Sequence, residues 1–146
     1  MASLAGVIFP IGQPFMAISG NGVKMEPGCR FTGILYQWVR VSAGREPSPS
    51  EAAVDSQSVE TATMISTDVG YDAGKKVHGR KRHLSVDMLG LVLRVLVTSA
   101  SIPERLGAKK LLKRTHSMGN QVKRLHTVWM DGGYRGEDFM HWVMDM

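Results

Sequence analysis

Two aspartates in this chain end apolar runs. One lies in Ala53-Val54-Asp55-Ser56-Gln57-Ser58-Val59, the other in Val128-Trp129-Met130-Asp131-Gly132-Gly133-Tyr134-Arg135-Gly136. An apolar run that stops at a carboxylate reads as a buried strand delivering hard oxygen donors to the rim of a sheet. Two such donors in a basic chain suit Mg²⁺ and the hydrolysis or transfer of phosphodiesters. Taken singly, an Asp at a strand end more often caps a helix or closes a turn, so the pair matters only if the fold brings Asp55 and Asp131 together. The densest basic run, Lys75 to His83, supplies Lys75, Lys76, Arg80, Lys81 and Arg82, and Arg135 follows the second aspartate. These cations have two readings: contacts to phosphates, or a solvated hairpin edge blunted by lysine. The histidines His78, His83, His116, His126 and His141 are scattered and read as structural or exposed.

The chain has 146 residues, enough for one domain with a core. Lys and Arg number 18 against 13 Asp and Glu, a formal charge of +5, which favours a polyanionic partner. One cysteine, Cys29, excludes an intramolecular disulfide and fits a reducing compartment. The apolar N-terminus lacks a basic leader and carries Pro10 and Pro14, unlike a signal peptide. No run approaches the roughly 20 apolar residues that span a bilayer, so no membrane association is expected.

The elements that must position the pair begin late. Residues 1–33 are broken by glycines and by Pro10, Pro14 and Pro27, and read as an irregular leader. Ile34–Val41 has the pattern of the last turns of a helix, and Pro47 and Pro49 make a linker of the segment after it. A first strand is expected at Ala52–Asp55, continuing toward Val59, then a polar loop over 60–73. Leu84–Gly90 and Leu91–Thr98 read as an antiparallel hairpin turning at Asp87–Gly90. Asp87 itself either serves that turn or lies near the site.

Ser101-Ile102-Pro103-Glu104 has capping-box spacing and opens a helix through about His116, ended by Gly119-Asn120. A fourth strand, Leu125–Met130, leads to Asp131, and the spacing of Phe139, Trp142, Val143 and Met146 predicts a final helix. The expected architecture is α/β, a mixed sheet in the order strand, hairpin, helix, strand, helix. Residues 1–50 form leader and linker, and 51–146 the core. If the first and fourth strands are neighbours, Asp55 and Asp131 emerge side by side.

From about Leu35 to Met146 these residues resemble bacterial insertion-sequence transposases of the DDE type. The blocks that carry the resemblance are Gly44-Arg45-Glu46-Pro47-Ser48-Pro49-Ser50, Val54-Asp55-Ser56-Gln57-Ser58-Val59, Gly70-Tyr71-Asp72-Ala73-Gly74-Lys75-Lys76, Gly79-Arg80-Lys81-Arg82-His83 and Asp131-Gly132-Gly133-Tyr134-Arg135-Gly136. The resemblance implies a partial ribonuclease-H-like fold, with Asp55 and Asp131 as the first two catalytic carboxylates and Mg²⁺ (or Mn²⁺) as cofactor. It further implies cleavage at transposon ends and strand transfer into target DNA. The partners would be terminal inverted repeats, target DNA and further copies of the chain, in the bacterial cytoplasm at the nucleoid.

Three departures go with it. The family's third carboxylate, a Glu on a later helix, is absent here, so an inactive relic is the alternative reading. Glu60 and His78 stand where basic residues are usual. Relatives also carry a helical DNA-binding region where the leader stands, and Ala17 to Gly33 reads like such a region translated one base out of frame. Without a covering strand and helix after Asp131, Phe139, Trp142 and Val143 are expected to be exposed, with low solubility and weak cooperativity.

Overall fold

A computed structural model describes residues 5–8, 27–61 and 67–146. Its elements run β1 (Ala5–Ile8), α1 (Pro27–Ser42), β2 (Glu51–Glu60), β3 (Gly70–Asp72), β4 (Val77–Asp87), β5 (Val92–Ser99), α2 (Glu104–His116), β6 (Thr127–Met130) and α3 (Glu137–Met144), with short 3₁₀ turns at Gly119–Val122 and Gly132–Tyr134.

The expected class holds: a mixed sheet with helices, built in the predicted order of strand, hairpin, helix, strand, helix. The sheet has six strands. β2 is central, antiparallel to β4 on one side and parallel to β6 on the other. Beyond β4 lie β5 and the short β3, both antiparallel to it. A parallel β2–β6 pair requires a crossover, and the segment carrying the hairpin and α2 provides it.

Three expectations need correcting. The polar stretch 60–73 is not all loop, because Gly70–Asp72 pairs with Val77–Gly79 as β3. The described parts of the leader are ordered elements: Ala5–Ile8 pairs antiparallel with Thr127–Met130, and α1 extends upstream of the predicted helix to Pro27. Most of the glycine-rich stretch Ala17–Gly33 lies outside the described residues. Finally, Phe139 and Val143 are not exposed: both are buried, at 3% and 0%, because α3 folds back onto Met130 and α2.

One face of the sheet carries the core. Val54, Leu96, Val128 and Met130 from the strands meet Ala108, Leu111 and Leu112 of α2 and Phe139 and Val143 of α3. Each large side chain among them, fully buried, contributes about 1.5–3 kcal/mol relative to exposure. Lys109 and Lys113 lie over the half-buried Trp142 ring, so aliphatic stems and a cation–π contact cover its outer side.

The face beneath α2 also holds an unusual polar stripe. Ser56 sits opposite His83 across the β2–β4 ladder, and Lys81, His83 and Ser85 are all buried. Each except one ring nitrogen has a partner: Lys81 pairs with Asp72 at 2.9 Å, His83 Nε2 bonds Thr98 Oγ1 at 3.1 Å, and Ser85 Oγ bonds Thr115 Oγ1 at 3.1 Å. His83 Nδ1 is buried and unpaired. α2 approaches this stripe closely only because position 107 is glycine. A Cβ there would stand 2.0 Å from His83 Cε1.

Asp87 sits in the hairpin turn, where it accepts bonds from the Leu89 and Leu91 amides, both at 2.9 Å. It also accepts from Tyr36 Oη at 2.7 Å and forms a short ion pair with Arg40, which docks α1 onto the sheet. Of the two readings of Asp87, the turn is therefore correct, with a helix-docking role added.

Candidate active site

Asp55 and Asp131 are brought together by strand register. The β2–β6 ladder ends at the pair Val54↔Met130, and the next residue on each parallel strand is one of the two aspartates. β6 ends there and Asp131 leaves the sheet, whereas β2 continues to Glu60 with Asp55 paired to Leu84 of β4; neighbouring strands lie about 4.8 Å apart in the hydrogen-bonding direction. Both residues are exposed. Each has one oxygen held by backbone: Ser56 N–H donates to Asp55 Oδ1 at 2.7 Å, and Gly133 N–H donates to Asp131 Oδ1 at 2.9 Å. Among the described residues no hydrogen bond reaches the second oxygen of either.

The capping-box reading of Ser101 and Glu104 fails. α2 begins after Pro103 with no side-chain cap, and Ser101 Oγ bonds Ser99 Oγ instead. Glu104 is diverted into the site. Its Oε1 accepts from Ser56 Oγ at 2.9 Å and from Lys75 Nζ at 2.8 Å. Its Oε2 faces Gly133, where a Cβ would lie 3.1 Å from Glu104 Oε2 and 3.1 Å from Asp131 Oδ1. The two carboxylates therefore flank one point above the turn, and a side chain at position 133 would crowd both.

The sequence reading missed Glu104 because a local capping pattern explained it away. The signal available was the preceding proline and the absence of any other acidic residue between 88 and 130.

Electrostatically, Glu104 is paired with the exposed Lys75 ammonium at 2.8 Å. Burial raises the Glu104 pKa, but the Lys75 ammonium and Ser56 hydroxyl outweigh it and hold the carboxyl below its ordinary value. Burial likewise disfavours the Lys75 ammonium, yet Glu104, with Asp72 and Asp55, raises its pKa overall. Tyr134 is 3% exposed, and burial, opposed by the nearby Ser56 hydroxyl and aided by the charges of Glu104, Asp55 and Asp131, pushes its phenol up to about 12. Ser56 lies alongside, but its hydroxyl bonds Glu104, and Tyr134 Oη is buried with no hydrogen-bond partner.

The predicted cations divide. Lys75 is committed to Glu104 and to the Ser56 carbonyl at 3.2 Å. Lys81 is 4% exposed, and its ammonium is spent on Asp72 and on the Ile102 carbonyl, so it faces the interior. Arg80 is half-buried and donates to the Thr67 carbonyl. Lys76, Arg82 and Arg135 are exposed, Arg82 donating to Gln57 Oε1 at 2.8 Å. Arg135 also borders a largely apolar hollow of about 320 Å³ beside Asp131, lined by Met130, Phe139 and Met140 among others.

Do these residues fit a divalent ion? Among the described residues, no three of His, Cys, Asp and Glu are placed to hold a metal between them. The Asp55–Asp131 pair fits Mg²⁺ nonetheless, since that ion keeps several waters and commonly takes one or two carboxylates with substrate phosphates. The orphaned Tyr134 hydroxyl beneath the cluster is consistent with a further polar occupant. Among the described residues no helix is long and apolar enough to cross a membrane.

Comparison with curated proteins and with solved structures gives no match. The family profile described as transposase DDE domain matches residues 46–146, which include β2 through α3 and thus Asp55, Glu104 and Asp131. That span is well over half of the chain, so the chain belongs to the transposase DDE domain family.

Proposed function

We propose that this member of a transposition family performs metal-dependent cleavage at transposon ends and strand transfer into target DNA, with Asp55 and Asp131 holding Mg²⁺. The observation that supports the reading is the end of the parallel β2–β6 ladder at Val54↔Met130, which makes Asp55 and Asp131 the next residues on neighbouring strands. Bound there, Mg²⁺ or Mn²⁺ would supply Lewis-acid activation of a water or a 3′-hydroxyl and would steady the leaving oxygen.

The chain's own residues have separable tasks. The Ser56 and Gly133 amides fix the two carboxylates in orientation, so that little reorganisation accompanies ligand binding. Lys75 offsets part of the cluster's negative charge, which lowers the repulsion a phosphate meets on approach. Exposed Lys76, Arg82 and Arg135, with Arg80 behind them, supply phosphate contacts that position DNA without reading its sequence. The partners are transposon-end and target DNA, engaged by a homo-oligomer at the bacterial nucleoid.

A second reading is an inactive relative that binds DNA without cutting it. It is favoured by the absence, among the described residues, of any three ligands placed around one metal. One experiment separates the two. The purified chain is incubated with Mg²⁺ or Mn²⁺ and DNA carrying the flanking terminal repeats, beside Asp55→Ala. Cleavage that disappears in Asp55→Ala supports catalysis, and equal blanks in both refute it.

A further inference from the structure

We infer that the outer edge of β5 is a self-association surface, where β5 of a second copy of this chain adds antiparallel and continues the sheet. The inference rests on the homo-oligomer proposed above and names its contact, but needs neither metal nor DNA.

Among the described residues β5 (Val92–Ser99) pairs with β4 alone and has no strand on its other side. Backbone alternation decides which groups that side carries. Ala100 N–H donates to the Gly79 carbonyl at 3.1 Å, at the end of the β4–β5 ladder. In an antiparallel pair every second residue turns both backbone groups to its partner, so Arg94, Leu96 and Thr98 face β4. Val95 and Val97 face outward, and among the described residues neither the N–H nor the carbonyl of either is bonded. Their side chains, 47% and 52% exposed, lie on the face of the sheet opposite Leu96 and α2.

Such edges are usually guarded by proline, lysine, bulges or very short strands. The β1 edge is only four residues long. β5 has eight, with no proline or lysine, and its one irregularity lies at the Val92 end.

The composition of the edge selects its occupant. Arg94 is the only ionisable residue in β5, so a nucleic acid finds almost no charge to bind there. Two copies of a chain of net charge +5 repel over most of their surface, and this near-neutral strand is where they can approach. A twofold axis normal to the sheet at Leu96 sets Val95 opposite Val97 of the second copy. It also sets Arg94 opposite Thr98 rather than opposite another Arg94. β-branched residues are favourable cross-strand neighbours. The pairing uses up both β5 edges, so it closes at two copies instead of propagating.

The test combines sedimentation velocity with amide hydrogen exchange on the full chain, without DNA or metal, over a concentration series. Expected is a monomer–dimer equilibrium in which the Val95 and Val97 amides become protected as dimer forms, while those of Leu96 and Thr98 are protected throughout. Val95→Lys places an ammonium in the pairing, and Val97→Pro deletes an outward N–H. Each should weaken association at least about tenfold with the melting temperature retained.

A dimer whose Val95 and Val97 amides exchange freely, or one that both variants leave intact, overturns the inference while the homo-oligomer stands. Protection of these amides in the monomer also overturns it, since the chain itself would then cover the edge. A monomer at every concentration overturns the inference and the homo-oligomer together, while the cleavage assay above still decides catalysis.

Discussion

Gly107→Ala tests whether the close approach of α2 to the sheet is what aims Glu104. In an exposed helix this change stabilises by about 1 kcal/mol, because alanine restricts the unfolded chain and favours helix. Here the new Cβ would meet three atoms of the His83 ring, at 2.0, 2.3 and 2.6 Å, where ordinary contact begins near 3.4 Å. The ring has nowhere to go: His83 is 0% exposed, backed by the β4 ladder and bonded to Thr98. Relief therefore requires α2 to lift from the sheet, which strains the Glu104 bonds to Ser56 and Lys75 at its first turn.

Overpacking of this kind costs about 1–3 kcal/mol, occasionally more, and a locked neighbour places it toward the top of that range. After the helical gain is subtracted, a net loss of about 2 kcal/mol is expected. Urea denaturation followed by tryptophan fluorescence should show a lower midpoint with an unchanged slope. In a double-mutant cycle, His83→Ala should relieve the Gly107→Ala penalty by more than about 1 kcal/mol, as for residues in direct contact. A Gly107→Ala protein as stable as the parent, or additivity in the cycle, would refute the steric argument.

Two further outcomes concern buried charge and pH. Arg40→Met strands Asp87, whose side chain is 0% exposed. Breaking a buried pair costs about 3–5 kcal/mol, and the three remaining donors to Asp87 set the expectation at the lower end. A change below about 1 kcal/mol in the same denaturation assay would mean that α1 is not docked through this pair. Acid should destabilise in two stages. The pKa of His83 and of His116 is depressed chiefly by burial, so stability is full above their ordinary value of about 6.5 and is lost as pH falls below it. Asp72, Asp87 and Glu104 are also depressed. Asp72 is lowered first by its Ser58 bond and then by Lys81, and in the other two hydrogen-bond donors overcome burial. Their contribution is fully present above the ordinary carboxylate value of about 4 and is lost as pH falls from there through the lower folded values. A melting temperature that is flat from pH 7 to 5 would contradict the depressed pKa of these two imidazoles, His83 buried and His116 half-buried.

Much of the frame was legible in the residues. β-branched runs around Asp87–Gly90 gave the hairpin, the apolar spacing of Ala108, Leu111 and Leu112 gave the buried face of α2, and Phe139 with Val143 gave α3. What spacing could not supply was cover. Phe139 and Val143 were expected to lie open, but α3 folds against Met130 and α2. A capping signature at Ser101–Glu104 was equally misleading, because the preference of a Glu for a nearby amide is small beside an ammonium and a hydroxyl waiting across the sheet. Nor does a run of cations say which face each takes. Lys81 alternates inward along β4 and is consumed by Asp72, whereas Arg82, one residue on, is exposed.

The sequence by itself determined the type of chemistry available here: two carboxylates ending apolar runs in a basic chain, and the family to which those runs belong. Only the tertiary structure decided their geometry. Parallel pairing of β2 with β6 is a contact between residues far apart in the chain, and its register alone makes neighbours of Asp55 and Asp131. The same long-range packing set Glu104 over Gly133 and left the Tyr134 hydroxyl beneath them, because local propensity fixes an element's type but not what stands opposite its side chains.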